Sequence, residues 1–188
     1  MKSLESVVLT SAILPFHLGK IREIDASDFG GVRWKTKETL AKQGIRVDEE
    51  YIDEGILALK QYYAITILDP LNMHAVSDLV DPFWHAHILH TEEYIDFCNR
   101  TVGGYMHHSP LDHGRAKHVQ GVDRLYRYTS KCFRKFFTYV NPTFFPLHLK
   151  DENLLCAHFG TEEYGKDLQL NALLPRNSAM QREVALPA

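Results

Sequence analysis

The spacing of apolar and polar positions predicts helices joined by loops. VDEEYIDEGILALKQYYAITI (47–67) opens with acids that suit the positive end of a helix. It then sets Ile52, Ile56, Leu59 and Tyr63 on one stripe, with Tyr51, Ala58, Tyr62 and Ile65 beside it, and stops at Asp69 and Pro70. A second pattern runs from Asp81 to about Asn99, with Trp84, Ile88, Thr91, Ile95 and Cys98 recurring at three- and four-residue steps while Glu92, Glu93 and Asp96 stay polar. Asp81 reads as its N-cap and Pro82 as its first helical residue. The clearest amphipathic stretch is about Val122 to Val140, where Val122, Leu125, Tyr126, Thr129, Cys132, Phe133, Phe136, Phe137 and Val140 share a broad face until Asn141 and Pro142 end it.

Weaker signals fill the rest. Short helices are expected over Thr36 to Gln43, closed by Gly44, and over Glu152 to Phe159, closed by Gly160. VVLTSAIL, near the start, fits a strand or a short helix, and SDFGGV at 27–32 reads as loop. Residues 70–80 and 109–121 read as connectors, and FFPLHL as an extended apolar loop. Beyond about Lys166 the periodicity is lost. The expected architecture is a mainly α single domain over 1–165 with long loops, built around a central helix at about 82–99, and a loosely held tail over 166–188.

Composition narrows the class. With 188 residues, 45% hydrophobic and 24% charged, the chain has material for one domain with a sizeable core. A net charge of −3 argues against a dedicated nucleic-acid binder. Three widely spaced cysteines without a CxxC indicate neither a disulfide framework nor a cysteine-rich zinc knuckle, and a reducing cytoplasm fits them. Glu5 interrupts the charged start of MKSLESVVLTSAILPF and no small-residue cleavage pattern follows, which argues against a secretory signal. No apolar run approaches the roughly 20 residues that span a bilayer, so no membrane role is expected.

The candidate chemistry is concentrated in one stretch. Five of the eleven histidines, His85, His87, His90, His107 and His108, fall within residues 81–110, beside Asp81, Trp84, Tyr94, Cys98 and Tyr105. On one helix His87 and His90 share a face, whereas His85 and His87 point about 200° apart and form no chelating pair. Gly103 and Gly104 permit a reversal that turns His107 and His108 back toward the helix. An extended return of about 20 Å reaches His90 or the level of Tyr94 with ease, His87 feasibly, and His85 only when taut. Cys98 is about 16 Å from His87 along such a helix, too far to share an ion. The loop that follows brings Asp112 and His113 within range of the same site.

The spacing S-x-x-V-D-x-x-W-H-x-x-I-L-x-T-x-x-Y-x-x-F-C, followed by G-x-Y-x-H-H-x-P, resembles the glycine-rich-domain-containing-protein-like family. It is carried here by Ser77, Val80, Asp81, Trp84, His85, Ile88, Leu89, Thr91, Tyr94, Phe97, Cys98, Gly103, Tyr105, His107, His108 and Pro110. The resemblance implies no activity of its own. It singles out His85, Cys98, His107 and His108, while His87 and His90 lie outside its typical pattern.

Several functional readings follow. In the first, His85 or His87 with His90, joined by His107 and His108 from the loop, binds a divalent transition metal, Zn or Fe, in a small enzyme acting on a small molecule. Oxygen ligands would come from Asp81, Glu93, Asp96 or Asp112. In the second, the histidines form a structural polar network in a non-catalytic helical module that meets a protein partner. Metal-free acid–base catalysis by the same histidines is a further alternative. Cys98, on an apolar stripe, reads as buried and inert rather than as a nucleophile. The basic face of the 122–140 helix, with Arg124, Arg127, Lys131, Arg134 and Lys135, is a weak candidate for anion binding against the plainer reading of a solvated helix face.

Overall fold

A helix that is apolar on every side has to be the one the others wrap. In the computed structural model, which describes residues 2–110, 116–146 and 154–158, that helix is α4 (Glu49–Leu68). Asp48 caps it, accepting from the Tyr51 amide at 2.8 Å, and every residue from Ile56 to Leu68 is buried. Even its polar members are enclosed: Lys60 reaches the Asp25 carboxylate at 3.1 Å, and the Gln61 amide donates to the Tyr139 carbonyl at 2.7 Å. The axis of the domain is therefore α4 rather than the expected helix at 82–99.

The first third of the chain supplies α1 (Leu4–Val7), a 3-10 turn (Thr10–Ala12), α2 (Pro15–Ala26) and α3 (Gly30–Lys42). Helix α2 packs on α4, and α3 packs mainly against α5 (Asp81–Leu89). The glycines at 30 and 31 thus begin a helix instead of lying in a loop, and α3 extends well before Thr36. Gly44 follows it with φ of 77°, as its punctuating role requires. Gly55 on α4 has a packing role, because a Cβ there would lie 2.1 Å from the ring of Phe83 on α5.

The predicted helix at 82–99 is two helices. Its second half is α6 (Thr91–Thr101), and His90 between them has φ −88° and ψ 66°. Along an unbroken helix residues 84 and 94 would be about 15 Å apart. Here Trp84 Nε1 donates to the Tyr94 hydroxyl at 3.0 Å, so α6 folds back against α5. Thr91 followed by Glu92 and Glu93 is an acidic first turn, the local reason a new helix starts there.

Three short strands complete the description: β1 (His74–Ser77), β2 (His108–Pro110) and β3 (Leu154–His158), in the order β1-β3-β2 and antiparallel throughout. His74 and His108 both stand opposite His158 in the backbone register. The helix expected over 152–159 is thus a strand; a short apolar run such as LLCAH is ambiguous by periodicity alone. The two connectors likewise contain β1 and β2. Helix α7 (Ala116–Phe136) starts before Val122, and its stripe of Val122, Leu125, Tyr126, Thr129, Cys132, Phe133 and Phe136 is buried as expected. Among the described residues no helix is long and apolar enough to cross a membrane. The expected tail at 166–188 lies outside the described residues.

Candidate metal centre

Helix α5 begins at Asp81, with Val80 in the cap position. The Asp81 carboxylate faces two histidines. His85, one turn along the same helix, brings Nδ1 to 3.3 Å from Asp81 Oδ2. His108 comes from β2, after the reversal at Gly103 (φ 83°), and places Nε2 2.9 Å from Asp81 Oδ1. The two imidazoles lie 4.4 Å apart between centroids, and the His108 ring rests against the indole of Trp84 at 4.8 Å. Tyr94 fixes this wall from behind, accepting from Trp84 and donating to the Met106 carbonyl at 2.8 Å, which ties down the strand leading to His108. One ligand atom from each of Asp81, His85 and His108 can be chosen such that all lie within 4.8 Å of one another. Asp81 and His108 are largely enclosed, while the His85 side chain is 54% exposed, so the group opens to solvent on one side.

The other candidate histidines do not join this group. His87 points into the core, where its Nδ1 meets the Tyr63 hydroxyl at 2.8 Å and its ring packs on Phe29, Tyr94 and Phe97. Burial, with a smaller contribution from His90, pushes its pKa down to about 4, and burial holds the Tyr63 phenol well above its usual range. At neutral pH the bond therefore joins a neutral phenol to an uncharged imidazole. His87 also lines a cleft of about 270 Å³ shared with Asp28, Glu93, Asp96 and Arg100. His90, at the helix break, lies 3.9 Å from Glu93 and packs over Gly31, with Nε2 buried and unpartnered among the described residues. His107 is exposed and lies edge-on to Tyr105 at 4.8 Å.

Of the positions that the family resemblance singles out, His85 and His108 come together, and Cys98 and His107 lie elsewhere. Cys98 is buried, and that burial pushes its thiol up to about 11, so it is not a thiolate at neutral pH. Tyr105 stacks edge-on against Tyr94 at 5.4 Å. Asp112 and His113 fall outside the described residues. On α7, Arg124, Arg127 and Lys131 are exposed, and Arg127 pairs with Asp123 at 2.9 Å, in keeping with a solvated face.

A second convergence was not visible in the sequence. Asp69, His74 and Cys132, all buried, also place ligand atoms within 4.8 Å of one another. Asp69 was legible only as a helix stop and Cys132 only as part of an apolar stripe; no local spacing relates them.

One family model, described as UCP032817-like, matches residues 26–155, more than half of the chain. No curated protein and no solved structure matches.

Proposed function

We propose, for a chain that belongs to the UCP032817-like family, that Asp81, His85 and His108 hold a divalent transition metal, and that the protein is a small metal-dependent enzyme acting on a small molecule. One observation carries this reading: a carboxylate oxygen and two imidazole nitrogens converge within 4.8 Å at a place where His85 is open to solvent. Two histidines and one carboxylate on one side leave positions free for water or substrate, a donor set suited to Zn or to Fe(II). Such an ion, when bound, polarises a substrate oxygen or activates water or dioxygen.

The chain's own residues orient the donors. Asp81 faces one histidine with each carboxylate oxygen, the Trp84 indole walls His108, and Tyr94 locks that indole in place. The test is elemental analysis of protein prepared without a polyhistidine tag, alongside Asp81→Asn and His108→Ala. The expected result is one equivalent of Zn or Fe per native chain that both variants lack, with a lower Tm after chelation. Native protein whose metal content equals that of both variants, and whose Tm chelation leaves unchanged, overturns the reading.

A second reading is a helical interaction module in which the histidines knit the core. The observations favouring it are that His108 already has a bond to Asp81 at 2.9 Å and His87 one to Tyr63 at 2.8 Å. It expects His108→Ala to lower stability with no change in metal content.

A further inference from the structure

The buried group at the end of α4 has a hydrogen-bonding contradiction at its centre. Thr129 Oγ1 donates its single proton to the Leu125 carbonyl at 2.9 Å and accepts from the Ala75 amide at 3.1 Å. Its 3.3 Å contact with His74 Nδ1 is therefore one in which the ring N–H donates. That assignment leaves the lone pair of a neutral His74 on Nε2, aimed at Asp69 Oδ2 at 3.4 Å and at the Asp69 carbonyl at 3.3 Å. Three acceptors then face one another at full burial. A positive charge among these three acceptors would remove the conflict.

The separations suit a cation between them. Ligands at about 2.0–2.3 Å from a tetrahedral zinc ion stand about 3.3–3.6 Å from each other. His74 Nε2 is 3.3 and 3.4 Å from the two Asp69 oxygens, and Cys132 Sγ is 3.8 Å from Asp69 Oδ2. Asp69 caps the C-terminal end of α4, where the helix dipole favours positive charge. The surrounding bonds orient the ligands from outside: Tyr128 donates to Asp69 Oδ2 at 2.7 Å, Asn72 to Oδ1 at 2.7 Å, and Thr129 sets the His74 tautomer.

We infer that Asp69, His74 and Cys132 form a second, closed site for a structural zinc ion, with the Asp69 carbonyl as the remaining ligand. Binding releases the Cys132 thiol proton to solvent, leaving a thiolate on the metal. The site is independent of the group around Asp81 and has a donor that the latter lacks.

Untagged protein produced in cobalt-supplemented, zinc-depleted medium tests this by near-ultraviolet absorption, with cobalt counted per chain. The expected result is a thiolate-to-cobalt charge-transfer band, kept in His85→Ala and in Cys98→Ser and lost in Cys132→Ser together with one cobalt per chain. Should Cys132→Ser fail to fold, Thr129→Val is read instead: its band is retained and its cobalt affinity falls about 10–100-fold. Wild-type protein that shows no such band, or keeps it in folded Cys132→Ser, overturns the inference. Unchanged cobalt affinity in Thr129→Val also does so. Cobalt bound without the band leaves the proposal for Asp81, His85 and His108 standing and removes this one.

Discussion

Two aspartate–histidine groups lie in this fold, and they differ in what surrounds them more than in what they contain. Around Asp81 the donors sit at a surface, with His85 more than half exposed and a bulky indole on one side. Around Asp69 every donor is buried, and bonded neighbours fix the directions of Asp69 and His74. Openness allows exchange of water and substrate, whereas closure favours permanence. An aspartate–histidine pair is thus open to exchange in one place and enclosed in the other, where Cys132 joins it.

The contrast can be broken by substitution. Asp69→Ala removes the carboxylate that His74, Tyr128 and Asn72 share, and is expected to cost about 3–5 kcal/mol in denaturant unfolding. Asp81→Ala in the same assay should cost about 1–2 kcal/mol. Equal losses would mean that the group at Asp81 is as structural as the other.

His87 sharpens the comparison, because it belongs to the motif stretch yet behaves as core. Its pKa falls from 6.5 to about 4 on folding, so the unfolded chain binds the proton first. The stabilising effect is complete above pH 6.5 and is lost as pH falls toward 4, amounting to on the order of 3 kcal/mol. His17, whose pKa burial also lowers, adds to the slope in the same direction. Denaturation midpoints measured between pH 7 and 4 should drop steeply for the native chain and less steeply for His87→Gln.

Smaller effects are expected at the exposed positions. His85→Ala should lower metal content and, with metal removed from both proteins, change unfolding free energy by less than about 0.5 kcal/mol, since its side chain is over half exposed. Arg127→Ala breaks only a helix-surface pair with Asp123 and should cost about 0.3–0.5 kcal/mol, with no change in metal content.

Much of this was legible in the sequence wherever the cause was local. The stripe of α4 with its acidic cap, the apolar face of α7 and the reversal at Gly103 each follow from a few neighbouring residues. His85 reaching Asp81 is likewise a one-turn relation. The break at His90 is masked because Thr91 continues the apolar periodicity even as Glu92 and Glu93 announce a fresh first turn. On a straight helix His108 reaches His85 only by a taut return, but with α6 folded back onto α5 the end of α6 starts nearer. The group at Asp69 was beyond local reading altogether, since Cys132 arrives from a helix that the sequence places far downstream.

The strand order adds a requirement of timing. Since β3 lies between β1 and β2, neither edge can form its ladder until residues 154–158 have emerged from the ribosome. His74 and His108, partners of the same late position in the register, gain their sheet contacts in a single closing event. A nascent chain stalled before that point would carry its helices yet lack the seam that joins the two histidine-bearing strands.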